Sequence, residues 1–380
     1  MKAALRLALL LLFAPAAGVS HTRALDDDSV WLVRTMQSAQ QALDAGQPLQ
    51  AEQLYREICE RQPGYAEAHG GLAFALRAQG RGAEALAILL QVGQSLLYGG
   101  NGPVAREYLE QAVAIDPRSA AARAALGHCL LVERDYERAT SELERAAELG
   151  ERSPAVRIFL GAALWESGRI EDSERIYREV LASGGRSLAA LQSLGGLLLW
   201  QGRYVEAAEL LAEARRADPD STQLALDQAR ALDGAGRVDP AIAAYRRLLQ
   251  STPGLYAARY NLALLLRKTG QDAQAQAEME RFRDAHAVAQ RETRRRTLQR
   301  ARVDYGWELI RAGKSELAAA HFRELGDDAE ALSGLAAAYE AVGDARGAAG
   351  ALERALTLAP ERQDLRLRLT RVRLGAGSAE

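Results

Sequence analysis

Lysine is nearly absent from this chain. Its 380 residues include three, Lys2, Lys268 and Lys314, and arginine carries almost all the positive charge. The formal net charge is -2, so the whole chain has no strong pull toward nucleic acid or acidic membranes, and no nucleic-acid partner is expected. Aromatic residues make up only 6%, and β-branched residues are sparse. The two cysteines, Cys59 and Cys129, form no Cys-x-x-Cys, which removes zinc ribbons and thioredoxin-like redox sites. The five histidines, His21, His69, His128, His286 and His321, are isolated and include no H-E-x-x-H. Neither a G-x-x-x-x-G-K-[ST] phosphate loop nor a G-x-S-x-G elbow occurs. Carboxylates such as Glu206, Glu209 and Glu213 stand beside Arg215 and Arg216, the pattern of ordinary solvated pairs. The chain is therefore read as a non-enzyme, with no metal and no cofactor expected.

Long apolar runs are also missing. Leu7 to Val19 has 13 residues and contains Pro15, short of the roughly 20 that span a bilayer. Lys2 and Arg6 precede the continuous apolar stretch Leu7–Phe13, and Ala14-Pro15-Ala16-Ala17-Gly18 supplies small residues for cleavage. This is the layout of a secretory signal peptide over residues 1–20. It leads to the expectation of an exported protein, periplasmic or secreted, with no transmembrane helix in the mature chain. An exported protein can pair its cysteines, but these two fall in different repeats. A disulfide needs Cα atoms within about 7 Å, so both are read as small buried hydrophobes.

What the chain does have is a period. Glycine recurs every 34 residues at Gly46 and Gly80, then at Gly168, Gly202, Gly236 and Gly270. Five positions after each come Ala51, Ala85, Ala207, Ala241 and Ala275, with Ser173 in the remaining slot. Alanine and leucine dominate the stretches between, and both lose little on entering a helix. Residues 188–221 show the unit. Leu191, Leu194, Gly195 and Leu198 line a first helix, Gly202 ends it, and Ala207, Leu211 and Ala214 line a second that Asp218-Pro219 stops. Comparable copies lie at 32–65, 66–99, 120–153, 154–187, 222–255, 256–289 and 329–362, with a shortened one at 299–328.

Two places depart from the period. Near 83–103 the register slips by 20 residues, because Ala105, Leu109 and Ala112 form a second-helix signature counted from Gly100 instead of Gly80. The segment from Ala83 to Tyr98 must then be the second helix of one unit and the first of the next. Residues 290–298 are a basic connecting helix, crowded by Arg291, Arg294, Arg295 and Arg296. Without interleaved aromatics they are read as a solvated face joining two sub-arrays. The domain reading is thus a signal peptide at 1–20, a main array at 25–289 with an irregular stretch at 100–119, the connecting helix, and C-terminal repeats with a capping helix at 299–380.

These units resemble the tetratricopeptide repeat, a 34-residue helix–turn–helix unit with the pattern W-x2-L-G-x2-Y…A-x3-F…P. In 154–187 the matching residues are Arg157, Leu160, Gly161, Leu164, Ser173, Tyr177 and Val180. The resemblance implies an all-α fold, a right-handed α-solenoid or superhelix of helical hairpins. It also implies an interaction scaffold whose ligand, a protein or peptide partner, lies in a concave groove lined by the first helices. Carried over through the register, the groove residues are His128, Trp165, Gln192, Trp200, Arg230, Tyr260, Arg267 and Lys268, with Leu199 and Leu226 among them. They suggest an aromatic centre at Trp165 and Trp200 and a basic end at Arg230, Arg267 and Lys268. Together with the signal peptide, the leading expectation is a periplasmic adaptor associated with bacterial envelope complexes. A client-binding periplasmic chaperone and a structural spacer in a polysaccharide-export or secretion assembly stay open.

Overall fold

The computed structural model describes residues 27–183 and 187–376. The leader expected over 1–20 lies outside the described residues. Among these there are 19 helices and no strand. In order they are α1 (Asp27–Asp44), α2 (Pro48–Arg61), α3 (Ala66–Ala78), α4 (Gly82–Tyr98), α5 (Gly102–Ile115), α6 (Ala120–Val132), α7 (Tyr136–Glu148), α8 (Pro154–Glu166), α9 (Ile170–Ala182) and α10 (Leu188–Trp200). They continue with α11 (Tyr204–Ala217), α12 (Thr222–Gly234), α13 (Val238–Ser251), α14 (Tyr256–Lys268), α15 (Asp272–Arg311), α16 (Ser315–Glu324), α17 (Ala329–Ala341), α18 (Ala345–Leu358) and α19 (Gln363–Ala376). The chain forms two compact units, residues 38–301, and residues 302–376 together with 27–37.

The first unit is a stack of antiparallel hairpins, and small residues set how closely they pair. Gly127 of α6, Gly161 of α8 and Gly195 of α10 recur at the repeat period. A Cβ on any of them would fall 2.5–2.8 Å from a side chain of the second helix, Leu143, Tyr177 or Leu211. Each large residue therefore sits directly on bare backbone, which brings the helices together and buries it almost completely. Gly93 of α4 holds the same phase and meets Leu109 of α5 at 2.6 Å in the same test. Meanwhile Ala85, at the start of α4, is buried like the other second-helix alanines. One helix of 17 residues thus packs backward on α3 and forward on α5, and the 20-residue slip follows from that sharing. The Gly99–Asn101 turn after it has ordinary repeat geometry, with the Asn101 N–H donating to the Leu96 carbonyl at 2.9 Å.

The turn inside each hairpin explains the glycine period. At Gly202 the backbone has φ +77°, and the following Arg203 N–H donates back to the Leu198 carbonyl at 2.9 Å. That is a left-handed helix end, where a Cβ is penalised. The slot between Gly100 and Gly168 is filled by Arg134, which takes φ +65° and has the same closing bond, Asp135 N–H to Leu130 carbonyl at 2.9 Å. Among the described residues it is the one non-glycine with positive φ. Arg134→Gly should therefore stabilise the protein by about 0.5–1 kcal/mol, less than the full left-handed penalty because glycine frees the unfolded chain. A higher thermal midpoint checks this; an unchanged or lower midpoint would count against it.

Cys129 is buried in α6 and Cys59 is half-buried in α2; both are free thiols. Burial pushes each up, to about 11. The second unit has its own core around Phe322, Leu335, Leu352 and Leu365. Among the described residues no helix is long and apolar enough to cross a membrane.

Candidate functional site

A pocket of about 710 Å³ opens in the first unit on the first-helix side of the stack. It runs from α8 to α14. Trp165, Leu199 and Trp200 make its apolar end, and Tyr204 stands on the wall. Trp165 is half-buried against the core beneath it, its ring 3.7 Å from where a Cβ on Gly196 would be. Trp200 is 64% exposed. Tyr204 lies over Gly234 so closely that a Cβ there would come within 2.4 Å of its ring. The two tryptophans therefore present a shelf, one seated and one standing free.

The other end is polar. Asp227, Arg230, Asp233, Asn261 and Lys268 line it. Arg230 donates to Asp227 at 3.3 Å, and Gln223 donates to the other Asp227 oxygen at 2.7 Å. Burial raises the Asp233 carboxyl, and Lys268 pulls it back down. Arg230 is paired with Asp227 and Lys268 stands near Asp233, so the charge along this end is mixed, while Arg267 lies outside the pocket lining. The acids sit on the α12 first helix, in repeat positions that carried no signal in the sequence.

At the floor stands Tyr245 of α13. The residue is fully buried, yet it lines the pocket. Its hydroxyl is closed off from solvent and makes no hydrogen bond of ordinary geometry, with the Asn261 side chain beside it as the nearest polar partner. Burial pushes the phenol well above its ordinary value, Asp233 adds to this, and the Asn261 side chain acts in the opposite direction. Tyr177, two repeats earlier in the same phase, has Ser173 and Ser193 beside its hydroxyl.

The sequence-derived groove residues separate into groups. Trp165, Trp200, Arg230 and Lys268 line the pocket. His128 stacks on Phe159 with ring centroids 3.9 Å apart, and burial lowers its pKa. Tyr260 packs against Phe282 at 5.1 Å. Gln192 and Arg267 are exposed outside the pocket lining, and Leu226 is core. Tyr204, Asp227, Asp233, Tyr245 and Asn261 are the additions. Tyr245 read as a packing residue of the repeat, and its hydroxyl differs from a phenylalanine only once the neighbouring repeat is in place. Among the described residues no cluster of three or more His, Cys, Asp or Glu is placed to hold a metal ion.

Comparison with known proteins agrees with this architecture. Two models described as tetratricopeptide repeat match the chain, one at residues 42–95 and 198–253, the other at 90–155 and 160–222. Together they cover more than half of it. No curated protein gave a significant match. Similar solved structures include MamA MSR-1, with TM-score 0.40 and 20% identity over 43% of this chain and 94% of that one. MamA from Desulfovibrio magneticus RS-1 gives 0.43 and 18% over 44% and 96%. The APC/C hetero-tetramer Cut9–Hcn1 gives 0.46 and 16% over 63% and 50%. With the glycine-ended hairpins, their shared packing phase and the two matching models in agreement, the chain belongs to the tetratricopeptide repeat family of protein-interaction scaffolds.

Proposed function

We propose that this protein is an exported, non-catalytic adaptor of the bacterial envelope whose pocket between α8 and α14 grips a segment of a partner protein. The aromatic shelf carries the reading: Trp200 stands 64% exposed beside half-buried Trp165 at one end of the pocket. A bulky apolar side chain fits over Trp165 and Trp200, where burying exposed ring surface stabilises a complex. The mixed charges at the far end favour a polar stretch without strong net charge. The signal-peptide layout of residues 1–20 supports export.

The experiment is affinity capture from a cell-envelope extract by the mature protein, beside two variants. Trp165→Ala/Trp200→Ala should lose the captured partner while keeping its helical circular dichroism. Tyr245→Phe, which removes a hydroxyl closed off from solvent, should keep capture and serves as the control for the packing beneath the pocket. Capture retained by the tryptophan variant sinks the reading, and many weakly held unfolded clients would favour the chaperone alternative.

A further inference from the structure

α15 is a single helix of 40 residues, whereas α14 has 13. The two pair antiparallel through Arg259–Glu278 at 2.9 Å, Tyr260–Phe282 at 5.1 Å and Tyr256–His286 at 5.3 Å. That ladder uses up the length of α14. Beyond His286, α15 runs past the end of its own hairpin, and nearly every residue from Val288 to Arg300 is exposed.

This free stretch is strongly basic, with four arginines in the six residues from Arg291 to Arg296. Arg291, Arg294, Arg295, Arg296 and Arg300 lie on it with a single acid, Glu292, which binds Arg296 at 2.9 Å. Among the described residues the other four form no ion pair. Elsewhere in this unit Arg56, Arg81, Arg123, Arg169, Arg178 and Arg203 each meet a carboxylate at 2.5–2.8 Å. Arg291 repels Arg295 across an i,i+4 step, and Arg296 repels Arg300 likewise, which weakens a helix. The stretch therefore carries a local repulsive cost.

An apolar pocket opens along the same helix. Tyr256, His286, Ala289, Thr293, Leu298 and Ala301 line it together with Gln290, Arg294 and Thr297, an open and largely apolar space of about 540 Å³. On a helical wheel Arg294 and Arg300 fall within the span of this strip, Arg291 and Arg296 at its two edges, and Arg295 on the opposite side. Leu298 is 61% exposed within it. An exposed leucine in an apolar pocket with cations inside it and at both edges matches a helix with an apolar stripe and acidic neighbours.

We propose that the middle of α15 is a second docking surface, distinct from the tryptophan pocket, which takes an acidic amphipathic helix of a protein partner. The strip from His286 to Ala301 accommodates about four turns of such a helix. The partner's leucines or similar side chains occupy the pocket beside Leu298, and its carboxylates pair with Arg291, Arg294 and their arginine neighbours.

The test is fluorescence anisotropy on the full chain, with a labelled synthetic helix of about five turns bearing leucine on one stripe and glutamate elsewhere. Controls are a scrambled peptide of the same composition, a polyuridine oligonucleotide and phosphatidylserine vesicles. The amphipathic peptide should bind saturably with a Kd on the order of 10 µM. Arg291→Gln/Arg294→Gln/Arg295→Gln should weaken it at least tenfold, and Leu298→Gln severalfold. Trp165→Ala/Trp200→Ala should leave it unchanged. Arg294→Glu/Arg295→Glu should prefer a lysine-bearing version of the peptide. These substitutions lie on an exposed helix face, and unchanged circular dichroism confirms that they fold. Equal binding of the scrambled peptide, tighter binding of RNA or vesicles, or no saturable binding each overturns the proposal.

Discussion

Phe322→Ala should destabilise the C-terminal unit by about 3–5 kcal/mol, at the upper end for loss of a core aromatic. The ring is 1% exposed, and what surrounds it sets the magnitude. It lies between two glycines, Gly306 on α15 and Gly334 on α17, where added Cβ atoms would come within 2.4 and 2.3 Å of it. Trp307 closes a third side edge-on, at 6.0 Å. Two of these walls are backbone, so they cannot swing in to fill the space, and the cavity term stays nearly whole. α16 has only 10 residues, and Phe322 is its largest contact with the core. Gly334→Val should fail for the opposite reason, costing about 1–3 kcal/mol by overpacking the same cleft. Amide exchange resolved along the chain checks both. Protection should fall first over α16–α18 while the hairpins from α6 to α11 hold, since repeats couple to their neighbours. A loss below about 1 kcal/mol for Phe322→Ala would mean that the cleft collapses after all.

The same glycines show what a single sequence can and cannot reveal. The turn glycines were legible because a left-handed helix end has one cheap solution, and the chain uses it at nearly every repeat. Arg134 was visible as the exception through spacing alone. The sharing of α4 between two hairpins was readable from Ala105, Leu109 and Ala112, and Gly93 supplies its packing reason. The pocket was only half legible. Trp165 and Trp200 stood out because they break the small-residue pattern. Asp227, Asp233 and Tyr245 did not, because their significance depends on side chains one repeat away. Tyr245 occupies a position that the repeat pattern already explains. Similarly, the uninterrupted run of α15 could be suspected from the missing turn residues, whereas the unpaired state of its arginines needed coordinates.

Removing Glu52 should cost about 2–3 kcal/mol, far more than the 0–1 of an exposed ion pair. Its carboxylate is buried on α2 and is reached from the next hairpin. Arg81 donates to both oxygens at 2.7 and 2.9 Å, Gln79 at 2.9 Å, and Arg56 of its own helix at 2.9 Å. Arg81 also spans Glu84 with two bonds of 2.6 Å. The arrangement recurs 122 residues later, the offset that three periods and the 20-residue slip produce. There Glu174 accepts from Arg203, Arg178 and Gln201 at 2.7, 2.9 and 3.3 Å, and Arg203 and Arg178 also bind Glu206. Each node ties a second helix to the turn of the following repeat, so it fixes how successive hairpins stack. Glu52→Ala strands two guanidinium groups and an amide at a partly closed surface, and Arg81 is about a third exposed, which lowers the figure from the 3–5 kcal/mol of full burial. Burial alone would raise the Glu52 carboxyl, but the bonds from Gln79, Arg56 and Arg81 outweigh it and hold the group below its ordinary value; Glu174 behaves the same way. A depressed carboxyl contributes stability that is complete above its unfolded pKa, about 4.3, and is lost as pH falls through the lower folded value. The thermal midpoint should therefore drop below about pH 4.5, and Glu52→Gln/Glu174→Gln should flatten that drop while lowering the midpoint at pH 7. If the double variant keeps the full acid dependence, the nodes are not its source and the more exposed pairs of the surface must be.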